Sequence, residues 1–169
     1  MALWRDGDFA DDIWTTLDDS APTPEHGAIV VSFARWQAEK AALETRAEPV
    51  GVAISAGKET VAQLAEAARR PLIALKFDKF ADGRAFSYAE LLRERHGFKG
   101  ELRATGDVLL DEIALMLRCG FTSFEVADAN TLRTLKEGRL PKQALFYQPA
   151  LGSREAPAGT RPWLRKARP

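Results

Sequence analysis

Cysteine is almost missing from this chain. Cys119 is the single one in 169 residues, which excludes an internal disulfide, a cysteine-ligated iron–sulfur cluster and a CxxC redox pair. Any redox role therefore needs a borrowed cofactor or a partner. Histidine is nearly as scarce: His26 and His96 lie far apart, and no histidine-rich metal constellation is expected. Net charge is absent too, because 24 basic and 24 acidic residues cancel, so nothing implies a general attraction to nucleic acid or to an anionic membrane. No apolar run approaches the roughly 20 residues that cross a bilayer, and MALWRDGDFADD lacks the basic flank and apolar core of a signal peptide. A cytoplasmic protein with neither membrane nor nucleic-acid partner is the expectation. GxGxxG does not follow the first apolar run, where His26 and Gly27 lead into AIVVSFARW. After the second run, Ala56 to Thr60 faintly resembles a phosphate loop, but its leading glycine is misplaced and Glu59 stands where Ser or Thr should follow the lysine.

What is present is 46% hydrophobic content, enough for one domain that buries its own core. Short β-branched runs alternate with helical patterns, the mark of βα units. Strands are predicted over Ala28–Ser32, Val50–Ile54, Leu72–Phe77, Leu102–Thr105 and Thr122–Val126, with Ala144–Tyr147 a possible sixth. Helices are predicted over Phe33–Glu44, Glu59–Arg70, Tyr88–His96, Val108–Cys119 and Asn130–Gly138. The expected fold is α/β, a single domain with a mostly parallel open sheet of five or six strands and helices on both faces. An incomplete βα barrel is the alternative, since a full eight-stranded barrel needs about 200 residues or more. Residues 1–27 form an acidic N-terminal segment, 28–148 the α/β domain, and 149–169 a Pro/Arg-rich tail in which Trp163 either packs on its own domain or is offered to a partner.

Polar residues crowd the strand ends between Leu72 and Val126. Lys79, Asp82, Gly83 and Arg84 connect the third predicted strand to its helix, Asp-Gly marking a tight turn. Lys79 and Arg84 could hold an anion at the rim of a parallel sheet, or an Asp82–Arg84 ion pair could simply stiffen the turn. Ser87 and Glu90 read as a capping box. In the next unit Arg103, Gly106, Asp107 and Asp111 are candidates, with Asp107 a natural N-cap and Asp111 and Glu112 favoured in the first helical turn. One functional reading sets Asp107 and Asp111 on one side, acting with Arg84 and Arg103 on a polar ligand or partner group. Cys119, before Gly120, reads as a buried, inert thiol.

The segment Phe77–Arg84, together with LLRER at 91–95, GELRA at 100–104, GDV at 106–108 and RCGF at 118–121, resembles the bacterial family called domain of unknown function 934. Asp78 stands where that family usually has proline, Phe86 where it has tyrosine and Glu112 where it has glutamine. The resemblance implies a gene beside those for assimilatory sulfite reductase and phosphoadenylyl-sulfate reductase. Two roles follow as expectations. The first is an accessory protein that binds sulfite reductase or its electron donor. The second is a small oxidoreductase or ligand-binding enzyme, with Lys79, Arg84 and Arg103 holding a sulfur oxyanion or adenylylated sulfate and Asp107 orienting it. No cofactor is predicted; flavin stays open because flavin sites often lack a compact linear motif. Oligomeric state is left open.

Overall fold

The computed structural model describes residues 1–78 and 83–140. They form a mixed α/β domain on one eight-stranded sheet rather than a sheet of five or six. The strands are β1 (Ala2–Arg5), β2 (Asp8–Ala10), β3 (Trp14–Thr16), β4 (Ala28–Ser32), β5 (Val50–Ser55), β6 (Leu72–Phe77), β7 (Glu101–Gly106) and β8 (Ser123–Val126). The helices are α1 (Phe33–Ala38), α2 (Lys40–Glu44), α3 (Thr60–Ala67), α4 (Arg84–Glu94), α5 (Leu110–Cys119) and α6 (Ala129–Lys136). The predicted strand at Ala144–Tyr147 lies outside the described residues.

The strand order is β2-β1-β8-β7-β6-β5-β4-β3. From β3 to β8 every neighbour is parallel and consecutive, while β1 runs antiparallel to both β8 and β2. Consecutive parallel strands joined by right-handed crossovers place all their helices on the same face. The packing follows: Trp36, Leu43, Leu64, Ala89, Leu92, Met116 and Leu135, which between them represent all six helices, join one core with Ile29, Val52, Ile73, Leu102 and Phe124 of the strands. The opposite face carries a smaller cluster of Val30, Leu72 and Ala74, with Trp14 and Ala53 against it. Helices on both faces is therefore corrected to helices on one.

The other face is enclosed by curvature. Strands β2 and β3 are the two edges of the ladder, yet Asp11, Asp12 and Ile13 alone connect them. That link reaches at most about 14 Å, whereas the edges of eight flat strands would stand about 33 Å apart. The sheet must curl until its edges meet, much as in the barrel alternative. The chain manages this in few residues because a two-residue turn joins β1 to β2 and a three-residue link joins β2 to β3, with no helix between them. At the first turn Asp6 and Gly7 have φ of 54° and 93°, the left-handed pair that a tight hairpin requires.

Two arginines fix the connections. Arg35, 6% exposed, donates to the Asp18 carbonyl at 2.6 Å and the Thr23 hydroxyl at 2.9 Å, and pairs with Glu39 at 3.1 Å. It thereby ties the β3–β4 loop to α1. Arg93 of α4 donates to the Gly120 carbonyl through Nε and Nη2 (2.9 and 2.8 Å), and through Nη1 to Phe98 and Gly100 (2.7 and 3.0 Å). Gly120, the left-handed C-cap of α5 at φ 103°, also leaves room for this arginine, since a Cβ there would stand 2.6 Å from Arg93 Cγ.

Candidate functional site

Alternation along β7 sends Leu102 and Ala104 into the helical core and Glu101, Arg103 and Thr105 toward the concave face. Register sets Ser123 of β8 opposite Arg103, and Arg5 of β1 opposite Ser123. Arg103 is fully buried and its guanidinium is surrounded. Its Nη1 and Nη2 grip the two oxygens of Asp12 at 2.7 and 2.9 Å. Nε and Nη2 reach Glu101 at 3.0 and 2.8 Å, and Nη1 reaches Glu125 at 3.3 Å. Ser123 donates to the same Glu101 oxygen at 2.6 Å, and Arg5 stands 3.7 Å from the other.

Burial alone would lower the Arg103 pKa, but hydrogen bonds and charge from Asp12 and Glu101 outweigh it and the net direction is up. Burial likewise pushes Asp12 upward, but Arg103 and the Trp14 amide hold its carboxyl below the ordinary range. Arg103 is thus not available as the anion holder expected from sequence. Its donors are spent on its own chain, and it lies three residues below the strand end at Gly106, about 10 Å. Asp12, Glu101, Ser123 and Glu125 were missed. The alternation of ELRATG was a legible sign of a polar inward face; Asp12, 91 residues from Arg103, left no local sign.

The second cluster lies at the carboxyl ends of β6 and β7, where βα folds usually place ligands. Lys76 pairs in register with Thr105, and Phe77 with Gly106. Lys76 Nζ reaches Asp78 at 2.9 Å, with both side chains about half exposed. Gly106 has φ 85°, and a Cβ would lie 2.4 Å from the Phe77 carbonyl oxygen. That carbonyl instead accepts the Asp107 amide at 2.9 Å. The chain bends at Asp107, where the Val108 amide turns back to the Gly106 carbonyl at 3.0 Å, and α5 starts only after Leu109, its N-cap, so Asp107 is not the helix cap. Ser87 likewise falls inside α4, whose N-cap is Gly83, and Arg84 opens that helix at an exposed position. Lys79, Asp82 and Trp163 lie outside the described residues.

Asp107 and Asp111 both act electrostatically on Glu112. Burial raises the Glu112 pKa, and the charges of Asp111 and Asp107 raise it further. Its Oε2 is buried with no hydrogen-bond partner among the described residues. A carboxyl with a raised folded pKa contributes most below its unfolded value, near pH 4, and loses that contribution as pH rises through the folded one. Glu112→Gln is therefore expected to stabilise the protein at pH 7 by a few tenths of a kcal/mol and to give no gain near pH 3.5. Melting curves at both pH values check this; an equal gain at each would assign the effect to packing.

Among the described residues no group of His, Cys, Asp and Glu is arranged to hold a metal ion, and no helix is long and apolar enough to cross a membrane. The AGKET turn is closed by Thr60, whose hydroxyl accepts the Gly57 amide at 2.7 Å. Cys119 is buried, with Sγ 3.6 Å from Glu90 Oε1.

A family model described as bacterial protein of unknown function (DUF934) matches residues 51–158. The chain belongs to the DUF934 family. No curated protein matches it, and no solved structure does. The DUF934 match takes in Arg93, Arg103, Gly106 and Gly120 but begins inside β5, leaving β1–β4 before it. Arg103 of the matched region is thus neutralised in part by Asp12 from outside it.

Proposed function

We propose that this protein is a non-catalytic accessory factor of assimilatory sulfate and sulfite reduction, one that binds the sulfite reductase or its electron donor. The observation that carries the reading is the state of Arg103: the strongest buried cation of the concave face is committed to Asp12, Glu101 and Glu125. A self-compensated interior suits a scaffold whose outer surface does the work, and the family resemblance supplies the pathway. Purified protein and purified reductase, mixed at micromolar concentration in low and moderate salt, are expected to co-elute in size-exclusion chromatography. Separate elution in both salts defeats the proposal.

A second reading rests on the strand ends. Lys76 beside Asp78, with Gly106 at the end of the neighbouring strand and Asp107 just beyond it, offers a half-exposed cation at the sheet rim to a sulfur oxyanion or adenylylated sulfate, as in a small oxidoreductase or ligand-binding enzyme. Thermal stabilisation by sulfite or adenylylated sulfate, lost in Lys76→Ala, would favour it, and a yellow purified protein would point to flavin.

A further inference from the structure

The Asp8–Thr16 segment crosses from one edge of the sheet to the other, leaving β1 at Ala10 and joining β4 at Trp14. Asp11, Asp12 and Ile13 belong to neither ladder. Both flanking strands are three residues long, and Ile13 is 70% exposed, so the three crossing residues have no apolar anchor of their own; Phe9 and Leu17 on either side are only partly buried against the main core. The Asp12 carboxylate supplies the hold: it takes both terminal nitrogens of Arg103 and accepts the Trp14 amide at 3.0 Å.

We propose that the Asp12–Arg103 ion pair is a latch on the seam of the curled sheet, whose release lets Asp8–Leu17 swing clear of the concave face while the rest of the fold stays intact. The two sides of the pair differ in the way a latch needs. The Arg103 side chain is 1% exposed, whereas that of Asp12 is 31% exposed, so solvent and competing ions reach the carboxylate. When Asp12 leaves, Glu101 and Glu125 still hold the guanidinium, and no bare buried cation results, the outcome that makes most broken buried pairs prohibitive. Arg5 of β1, the other cation on Asp12, is part of neither moving strand. Behind the seam, Trp14 covers Val30, Leu72 and Ala74. Release uncovers this apolar face and opens a side entrance to the concave interior, separate from the strand ends.

Hydrogen–deuterium exchange of the full chain tests this, because local opening and global unfolding leave different patterns. Asp12→Asn removes the charge, and Arg103→Lys keeps a buried cation but loses the two-pronged grip. In both variants peptides covering Asp8–Leu17 are expected to exchange about tenfold faster or more with little dependence on dilute urea, the mark of local opening, while those covering Leu72–Phe77 stay about tenfold or more better protected and accelerate with urea as global unfolding requires. Equal protection and equal urea dependence in both regions would make the pair an ordinary contributor to global stability, and unchanged exchange in Asp8–Leu17 would mean that it holds nothing; either result overturns the latch.

Discussion

Arg103→Met is expected to lower the unfolding free energy by about 3–5 kcal/mol at pH 7, the usual cost of removing one member of a buried ionic network. Methionine fills much of the arginine's volume, so the loss is chiefly electrostatic. It leaves Asp12, Glu101 and Glu125 facing one another, with Arg5, 3.7 Å from Glu101, the nearest remaining cation. The pH dependence identifies the cause. In the wild type, Asp12 has a depressed pKa, so its contribution is present above the unfolded carboxylate value, near pH 4, and is lost as pH falls through the folded value. Acid also neutralises the mutually repelling carboxylates of the variant. The gap between wild type and Arg103→Met should therefore narrow in urea titrations at pH 3 relative to pH 7. A deficit of the same size at both would assign the effect to packing.

Arg93→Ala is the second large effect, expected to cost about 3 kcal/mol. This side chain gathers the carbonyls of Phe98, Gly100 and Gly120, so its loss strips a charged donor from three backbone acceptors at once. The guanidinium also lies 5.1 Å from the Phe98 ring centroid, adding a contact that alanine forfeits. Arg93→Lys should recover less than half of the loss, because one ammonium cannot reproduce the planar fork that reaches two separate turns. Denaturant unfolding of the three proteins decides the matter. A deficit under about 1 kcal/mol for the alanine variant would show that water replaces the arginine at these carbonyls.

The strands that the sequence displayed were those buried between neighbours. AIVVS at β4 and LIALKF at β6 are near-continuous apolar runs, and their predicted limits match the observed ones. The first three strands escaped notice because each is only three or four residues long and lies in acidic sequence, although Asp6-Gly7 between LWR and DFA is a hairpin signal. Helix starts failed where tertiary contacts outrank local capping: the Phe77 carbonyl draws Asp107 into the sheet ladder. The expectation of helices on both faces failed because strand order is a property of the assembled sheet, invisible in any single βα unit. Arg103 was legible as an important charge, expected on a ligand or partner group and found committed to its own chain. The partner that decides its role, Asp12, is brought to it only by curvature.

The position of the DUF934 match within the folded chain bears on how the protein can be divided. Cutting immediately before Gly51 would remove β1–β4 and leave β5 and β8 as raw edges, each a row of unsatisfied backbone groups ready to pair with another molecule. The same cut would expose Val52 and Ile54, now almost completely buried, and deprive Arg103 of Asp12. A fragment chosen by sequence similarity alone would thus be a sticky half-shell prone to aggregate, and the first fifty residues act as the staves that make the molecule self-contained.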